Sequence, residues 1–202
     1  MSRPNAKPIS GKTKGGDRLF VALELPERIR TRLFNLQSLM PGLKWTPAAN
    51  LHLTLRFIGQ VSPDKTELIQ ESLNNVTGDS FILTVVGLGM FQRKTGDILW
   101  VGVPSEPALE QLKQKVDESL RVSSGLSMDA PKYSPHITLS RLKNTATASL
   151  KEAVKEKAGE RFGEIPVTGF TLFRSILSPS GAVHEPVKRY KLNAELLKPS
   201  PD

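Results

Sequence analysis

The sequence predicts a mixed helix-and-strand fold: a duplicated β-α-β-α-β unit whose two pseudo-symmetric lobes meet at a central cleft. Two observations carry this reading. The same order of elements runs twice along the chain, and the equivalent strand in each run carries the same tetrad, His-x-Thr-Leu, headed by His52 and His136. His52 follows Phe20 of the first strand by 32 residues, and His136 follows Leu99 of its counterpart by 37. Recurrence of both unit order and motif position marks an internal duplication. Two motifs related by such an axis would face one another across the cleft.

The elements follow in order. Residues 1–17 are rich in Pro, Gly, Ser and Lys without apolar period, and read as a disordered basic tail. RLFVALEL (18–25) is a strand. Pro26 then opens a helix with Ile29, Leu33, Leu36 and Met40 on one face. LHLTLRFI is the centre of the next strand, and Ser62-Pro63 begins a second helix carrying Ile69, Leu73 and Val76. SFILTVVGL (80–88) closes the first unit. The second repeats it: a strand at 98–103, a helix capped by Ser105, a strand at 134–142, a helix capped by Thr147 and stopped by Gly159, and a strand IPVTGFTLFRS at 165–175. A last strand spans roughly Val183–Leu192. The whole reads as a single bilobal domain over 18–195, followed by a tail over 196–202.

Composition narrows the function. With no cysteine among 202 residues, a disulfide scaffold, a thiolate metal site and a cysteine nucleophile are all excluded. No run approaches the ~18 apolar residues of a membrane span, and the N-terminus lacks the apolar core of a signal peptide; the expected location is the cytoplasm. The net charge of +8 favours polyanionic partners such as RNA, DNA or nucleotides. About half of that excess lies in the tail, at Arg3, Lys7, Lys12, Lys14 and Arg18. The Lys-rich run at 151–161 reads as a solvated helix face.

Strand geometry then assigns faces. The side-chain period of two puts His52 with Thr54 on one face and Leu51, Leu53, Leu55 and Phe57 on the other. His136 and Thr138 likewise oppose Ile137 and Leu139. Each motif therefore mounts an imidazole and a hydroxyl on an apolar backing. Two histidines suit phosphodiester hydrolysis, because imidazole with a pKa of ~6.5 is available both neutral, as a base, and charged, as an acid. Threonine hydroxyls can donate to phosphate oxygens where charge grows. The scheme needs no metal cofactor, and no cysteine or HExxH motif offers one a site.

Other residues are weighed against this pair. Arg141, five after His136, has the wrong parity for the same face unless the strand ends, bends or bulges near Ser140. Its counterpart after His52 is Phe57, while Arg56 has the right parity as a weaker candidate for substrate. His184 has no Thr two residues on and reads as structural or surface. Among aromatic residues that could stack on bases, Trp45 is open, Trp100 reads as core, and Tyr133 is the better candidate.

The paired HLTLRFIG (52–59) and HITLSRL (136–142), with RLFVALELP, LWVGV and SGAVHEPVKRYKL, resemble the 2H phosphoesterase superfamily. The similarity is greatest to bacterial and archaeal RNA 2′,3′-cyclic phosphodiesterases, also called 2′-5′ RNA ligases, and covers about 18–192. It implies an α+β fold with antiparallel sheets lining the cleft and helices outside, a monomer, and no metal. It also implies His52 as proton donor to the leaving oxygen and His136 as proton acceptor from water. Thr54, Thr138 and Arg141 become phosphate-binding residues, and no catalytic role transfers to His184. The implied substrate is RNA ending in a 2′,3′-cyclic phosphate, opened to a 2′-phosphate, with reversible 2′-5′ joining of tRNA half-molecules in some members. Two alternatives remain open from sequence: a phosphodiesterase for linear 2′-5′ linkages, and a non-catalytic RNA- or nucleotide-binding module.

Overall fold

The computed structural model describes residues 16–124, 133–144, 146–178 and 181–194. Twelve main elements follow one another: β1 (Asp17–Glu24), α1 (Glu27–Phe34), β2 (His52–Val61), α2 (Pro63–Leu73), β3 (Phe81–Phe91), β4 (Ile98–Gly102), α3 (Pro107–Ser124), β5 (His136–Arg141), α4 (Ala148–Glu156), β6 (Arg161–Val167), β7 (Gly169–Ser178) and β8 (Gly181–Lys191). The predicted order of strands and helices holds up to the strand expected over 165–175. Most of both predicted tails, 1–15 and 195–202, lies outside the described residues. Asp17, expected in the tail, instead starts β1, opposite Val61, and its carboxylate pairs with Arg174 at 2.8 Å.

Local chemistry explains the helices. Ile29 and Leu33 of α1 are buried, and so are Leu36 and Met40 in the 3-10 turn that continues it. Before α2, Ser62 is extended and Pro63 takes the first helical position, but the Ser62 side chain makes no capping bond. Before α4, the Thr147 hydroxyl accepts from the Leu150 amide at 3.3 Å, as a capping residue should. That helix ends at Glu156, ahead of Gly159. The helix after β4 starts at Pro107, two residues past Ser105, whose hydroxyl turns to the Glu110 carboxylate.

The strands join in the order β6-β3-β4-β5-β2-β1-β7-β8, and every named pairing is antiparallel. At the centre, β2 and β5 share one register pair, Leu53 with Ile137. The segment expected as one strand over 165–175 is two: β6 pairs with β3, and β7 with β1. Only Thr168 separates them. In a flat sheet, six strand spacings of ~4.8 Å would hold them roughly 29 Å apart. Two Cα–Cα steps reach only ~7.6 Å, so the sheet must curl until its ends meet. There the Leu192 amide donates to the Thr168 carbonyl at 2.9 Å and the Ser80 amide to the Asn193 carbonyl at 2.8 Å.

Lobes and sequence halves do not coincide. β3, from the first run, lies beside β4, while β7 returns to β1. One face of the sheet carries the main core. Leu19, Val21, Leu23, Leu53, Leu55, Ile137 and Leu139 share it with apolar residues of all four helices. Among the described residues, the opposite face holds a small buried cluster, Phe20, Ala22 and Phe173, beside the histidines. Among the described residues no helix is long and apolar enough to cross a membrane.

The central seam sets a stability expectation. Ile137 is fully buried, and Ile137→Ala should cost about 2–5 kcal/mol in urea denaturation. A loss under ~1 kcal/mol would mean that the seam does not hold the strands together.

Candidate active site

The two tetrads meet at their second residues. Because Leu53 pairs with Ile137, antiparallel order sets His52 toward Thr138 and Thr54 toward His136. All four side chains line one cavity of about 720 Å³. Beyond the seam the strands part, and the freed edge of β5 is taken by a short segment. The Thr46 amide donates to the Leu139 carbonyl at 2.7 Å, and the Ser140 hydroxyl to the Lys44 carbonyl at 2.9 Å.

The parity problem at Arg141 is solved by a bulge. Opposite β4, Leu99 pairs with Ser140 and Trp100 with Thr138, so Leu139 is left over. Leu139 and Ser140 are both buried in succession, the alternation shifts by one, and Arg141 rejoins the histidine face, lining the cavity. The same irregularity follows His52. Val21 pairs with Arg56 and Ala22 with Thr54, leaving Leu55 over. Phe57 therefore lies on the cavity side, exposed, against its expected place among the apolar backing. Arg56 is turned to the helix side, where it sits 3.7 Å from Asp117 of α3, so its candidacy for substrate contact is withdrawn.

Each histidine is held in the same way. Nδ1 of His52 lies 2.7 Å from the Asn50 carbonyl, and Nδ1 of His136 lies 2.7 Å from the Ser134 carbonyl. A carbonyl can only accept, so Nδ1 carries the hydrogen in both rings. Nε2 is then the atom left to take or give a proton. Among the described residues, no carboxylate is hydrogen-bonded to either ring. Glu24, the register partner of His52, turns its carboxylate to Thr171 and Arg189 at 2.7 and 2.6 Å.

The surroundings of the two rings differ. Phe20 lies 4.9 Å from the His52 ring and stacks on Phe173 at 5.2 Å. His184, set aside from sequence, packs edge-on against both His52 (5.1 Å) and Phe20 (4.9 Å) and lines the cavity. Burial in this wall pushes His52 down to about 4, and nearby His184, His136 and Arg141 charges add to the effect; the Asn50 bond opposes it. His136 is also held below its ordinary value, first by burial and then by the charges of Arg141 and Arg93. In the free protein both shifts favour the neutral ring.

Tyr133 does not join the cavity. Its hydroxyl donates to the Thr54 carbonyl at 3.1 Å, and Lys113 of α3 lies 5.2 Å from its ring. It ties the chain before β5 to β2 and borders a neighbouring groove. Trp100, read as core, stands instead on the histidine face, opposite Thr138. Trp45 lines the cavity. Phe20, Phe91 and Arg93 escaped the sequence reading. The alternation in β1 could have placed Phe20, since Leu19, Val21 and Leu23 claim the other face. Phe91 and Arg93 lie beyond the strand predicted at 80–88 and carried no signal. Among the described residues, no cluster of three His, Cys, Asp or Glu side chains could hold a metal ion.

Known proteins are similar to this chain in sequence and fold. The description of the 2′-5′ RNA ligase superfamily matches residues 25–176. An RNA 2′,3′-cyclic phosphodiesterase of Archaeoglobus fulgidus is 32% identical over 178 residues, covering 86% of this chain and 99% of its own. One from Escherichia coli K12 is 31% identical, covering 87% and 96%. The crystal structure of E. coli LigT in apo form superposes with a TM-score of 0.74 at 27% identity, covering 89% of this chain and 99% of that one. A crystal structure described as a phosphoesterase gives 0.76 at 28%, covering 88% and 99%.

The depressed proton affinity of His52 can be read directly. By NMR its ring should titrate near 4 in the free protein and move upward when inorganic phosphate is added, because an anion favours the imidazolium. A free-protein value at or above 6.5 would contradict the burial argument.

Proposed function

The chain belongs to the 2′-5′ RNA ligase superfamily, and from that premise we propose that it hydrolyses the 2′,3′-cyclic phosphate at an RNA end to a 2′-phosphate. The observation that carries the proposal is the pair of equivalently mounted imidazoles on one cavity wall, each with Nδ1 fixed and Nε2 available. The relatives named as RNA 2′,3′-cyclic phosphodiesterases support the choice of substrate. His136 takes a proton from water as its oxygen attacks phosphorus. The P–O3′ bond breaks, and His52 gives its proton to O3′. Thr54 and Thr138 donate to the non-bridging oxygens, and the Arg141 guanidinium offsets the charge that gathers on them. No step uses a metal.

The role of His52 requires a proton that the free site disfavours. The phosphodiester itself carries a negative charge into the cavity, and that charge stabilises an imidazolium beside it. Acid function is thereby coupled to substrate: His52 is charged when the anion is present. Reversible 2′-5′ ligation follows from the same step with a 5′-hydroxyl in place of water: its oxygen bonds to phosphorus as P–O3′ breaks and O3′ takes the proton, and in reverse the 3′-hydroxyl attacks phosphorus and expels the 5′-hydroxyl.

EDTA-treated protein should open nucleoside or oligonucleotide 2′,3′-cyclic phosphates, and product analysis should find the phosphate on O2′. Full dependence on added metal would sink the mechanism, and faster cleavage of linear 2′-5′ linkages would reassign the substrate. His52→Ala and His136→Ala should each lower kcat by about 10²–10⁴-fold, with the double variant far from multiplicative. If instead the double variant binds RNA as wild type does and wild type shows no turnover, the protein is a binding module.

The pH dependence has a defined sign. kcat/KM reports the free enzyme, where both histidines are held below 6.5. It should be bell-shaped, with its maximum on the acid side of 6.5, and the limbs of kcat should lie at higher pH. A flat profile between about pH 5 and 9 would exclude two-histidine catalysis.

A further inference from the structure

A second groove, of about 640 Å³, opens beside the His136 end of the cavity. It begins where the catalytic apparatus ends. Ser134, whose carbonyl fixes His136, lines it, and so does Gly102, the register partner of His136. Tyr133 and Val86 form part of its wall.

Trp100 lies along this groove, and two glycines hold it flat. Gly89 of β3 and Trp100 of β4 are directly opposed, so their side chains would share a face. A Cβ on Gly89 would come within 2.2 Å of the indole, and one on Gly102 within 3.3 Å. The ring thus occupies the space that these side chains would fill, with one face on the backbone of the sheet and the other turned away from it. The Phe91 ring lies tilted against it, with centroids 5.2 Å apart. The Trp100 ring centroid is 6.4 Å from that of His136. An indole laid flat beside a phosphate-handling site is the arrangement that stacks nucleic-acid bases. Charge fits the same occupant, since Arg93 and Arg141 place positive potential around His136.

We propose that Trp100 and this groove bind the base of the nucleotide next to the reacting end, so that the protein recognises an RNA chain and not its last nucleotide alone. The inference rests on the cyclic phosphodiesterase reading. A chain that ends in a 2′,3′-cyclic phosphate continues only on its 5′ side, so the neighbour is the penultimate nucleotide. Stacking is tolerant of base identity, because every base has a π face.

The test compares a nucleoside 2′,3′-cyclic phosphate with a dinucleotide ending in the same group. One stacked base is worth about 5- to 150-fold, so wild type should prefer the dinucleotide in kcat/KM by a factor in that range. Trp100→Leu should bring the ratio of the two substrates to near one, whatever the absolute rates become, and Trp100→Phe should keep most of it. A separate readout needs no turnover. The chain has two tryptophans, so in a Trp45→Phe background the fluorescence is that of Trp100 alone. A dinucleotide bearing a terminal 2′-phosphate should quench it, and the corresponding mononucleotide should not. A wild-type ratio near one, a preference that survives in Trp100→Leu, or absence of quenching would overturn the proposal. If neither cyclic substrate is hydrolysed, the activity reading has failed, while the quenching still decides the groove.

Discussion

Leu53 and Ile137 face each other at the middle of the sheet, and the site depends on that pairing. Both are fully buried on the helix side. They are the central residues of the two tetrads, so fixing them fixes the phase of four polar side chains at once. A slip of one residue would turn the histidines into the core and the leucines into the cavity. The apolar burial that holds the strands together is thus also what aims the chemistry. Because β2 and β5 share so little register, they part beyond the seam and leave a cavity between them.

Around that seam the two halves follow one pattern and differ in content. The register of β1 on β2 is repeated by β4 on β5, including the residue left over three positions after each histidine. Phe20 opposite Phe57 corresponds to Ile98 opposite Arg141, and Ala22 opposite Thr54 corresponds to Trp100 opposite Thr138. One side is therefore an apolar wall of Phe20, Phe57 and Phe173, joined by His184. The other carries Arg141, Arg93 and the half-buried indole of Trp100. Equivalent backbone geometry has become two different electrostatic environments.

That difference bears on the protons. His52 is the deeper of the two, and burial dominates its affinity for a proton. His136 is nearer solvent; burial is again the largest cause of its shift, and the Arg141 and Arg93 guanidiniums add to it. Among the described residues, neither ring has a carboxylate partner to favour its charged form. On the proposed mechanism, acid function is therefore tied to occupancy by a phosphate, because burial favours the neutral imidazoles until an anion arrives.

Much of this was legible in the chain. Period-two alternation placed each His with its Thr and backed them with Leu or Ile, because a strand buried on one face must alternate. The repeated tetrad singled out His52 and His136 against a background of three histidines, and apolar spacing gave the helices. What escaped was whatever depended on non-local register. The bulges at Leu55 and Leu139 moved Phe57 and Arg141 onto the histidine face, and a strand pattern carries no mark of where its partner skips a residue. Trp100 looked like core because its strand is apolar; the glycines that lay it flat are on β3 and at the far end of β4. His184 lies more than 130 residues from His52, and only the return of β7 and β8 beside β1 brings the rings together. The sequence by itself determined which side chains share a strand face, since that follows from local backbone geometry. Tertiary structure decided which faces meet and how buried each group becomes, because register, curl and burial are set by partners distant in the chain.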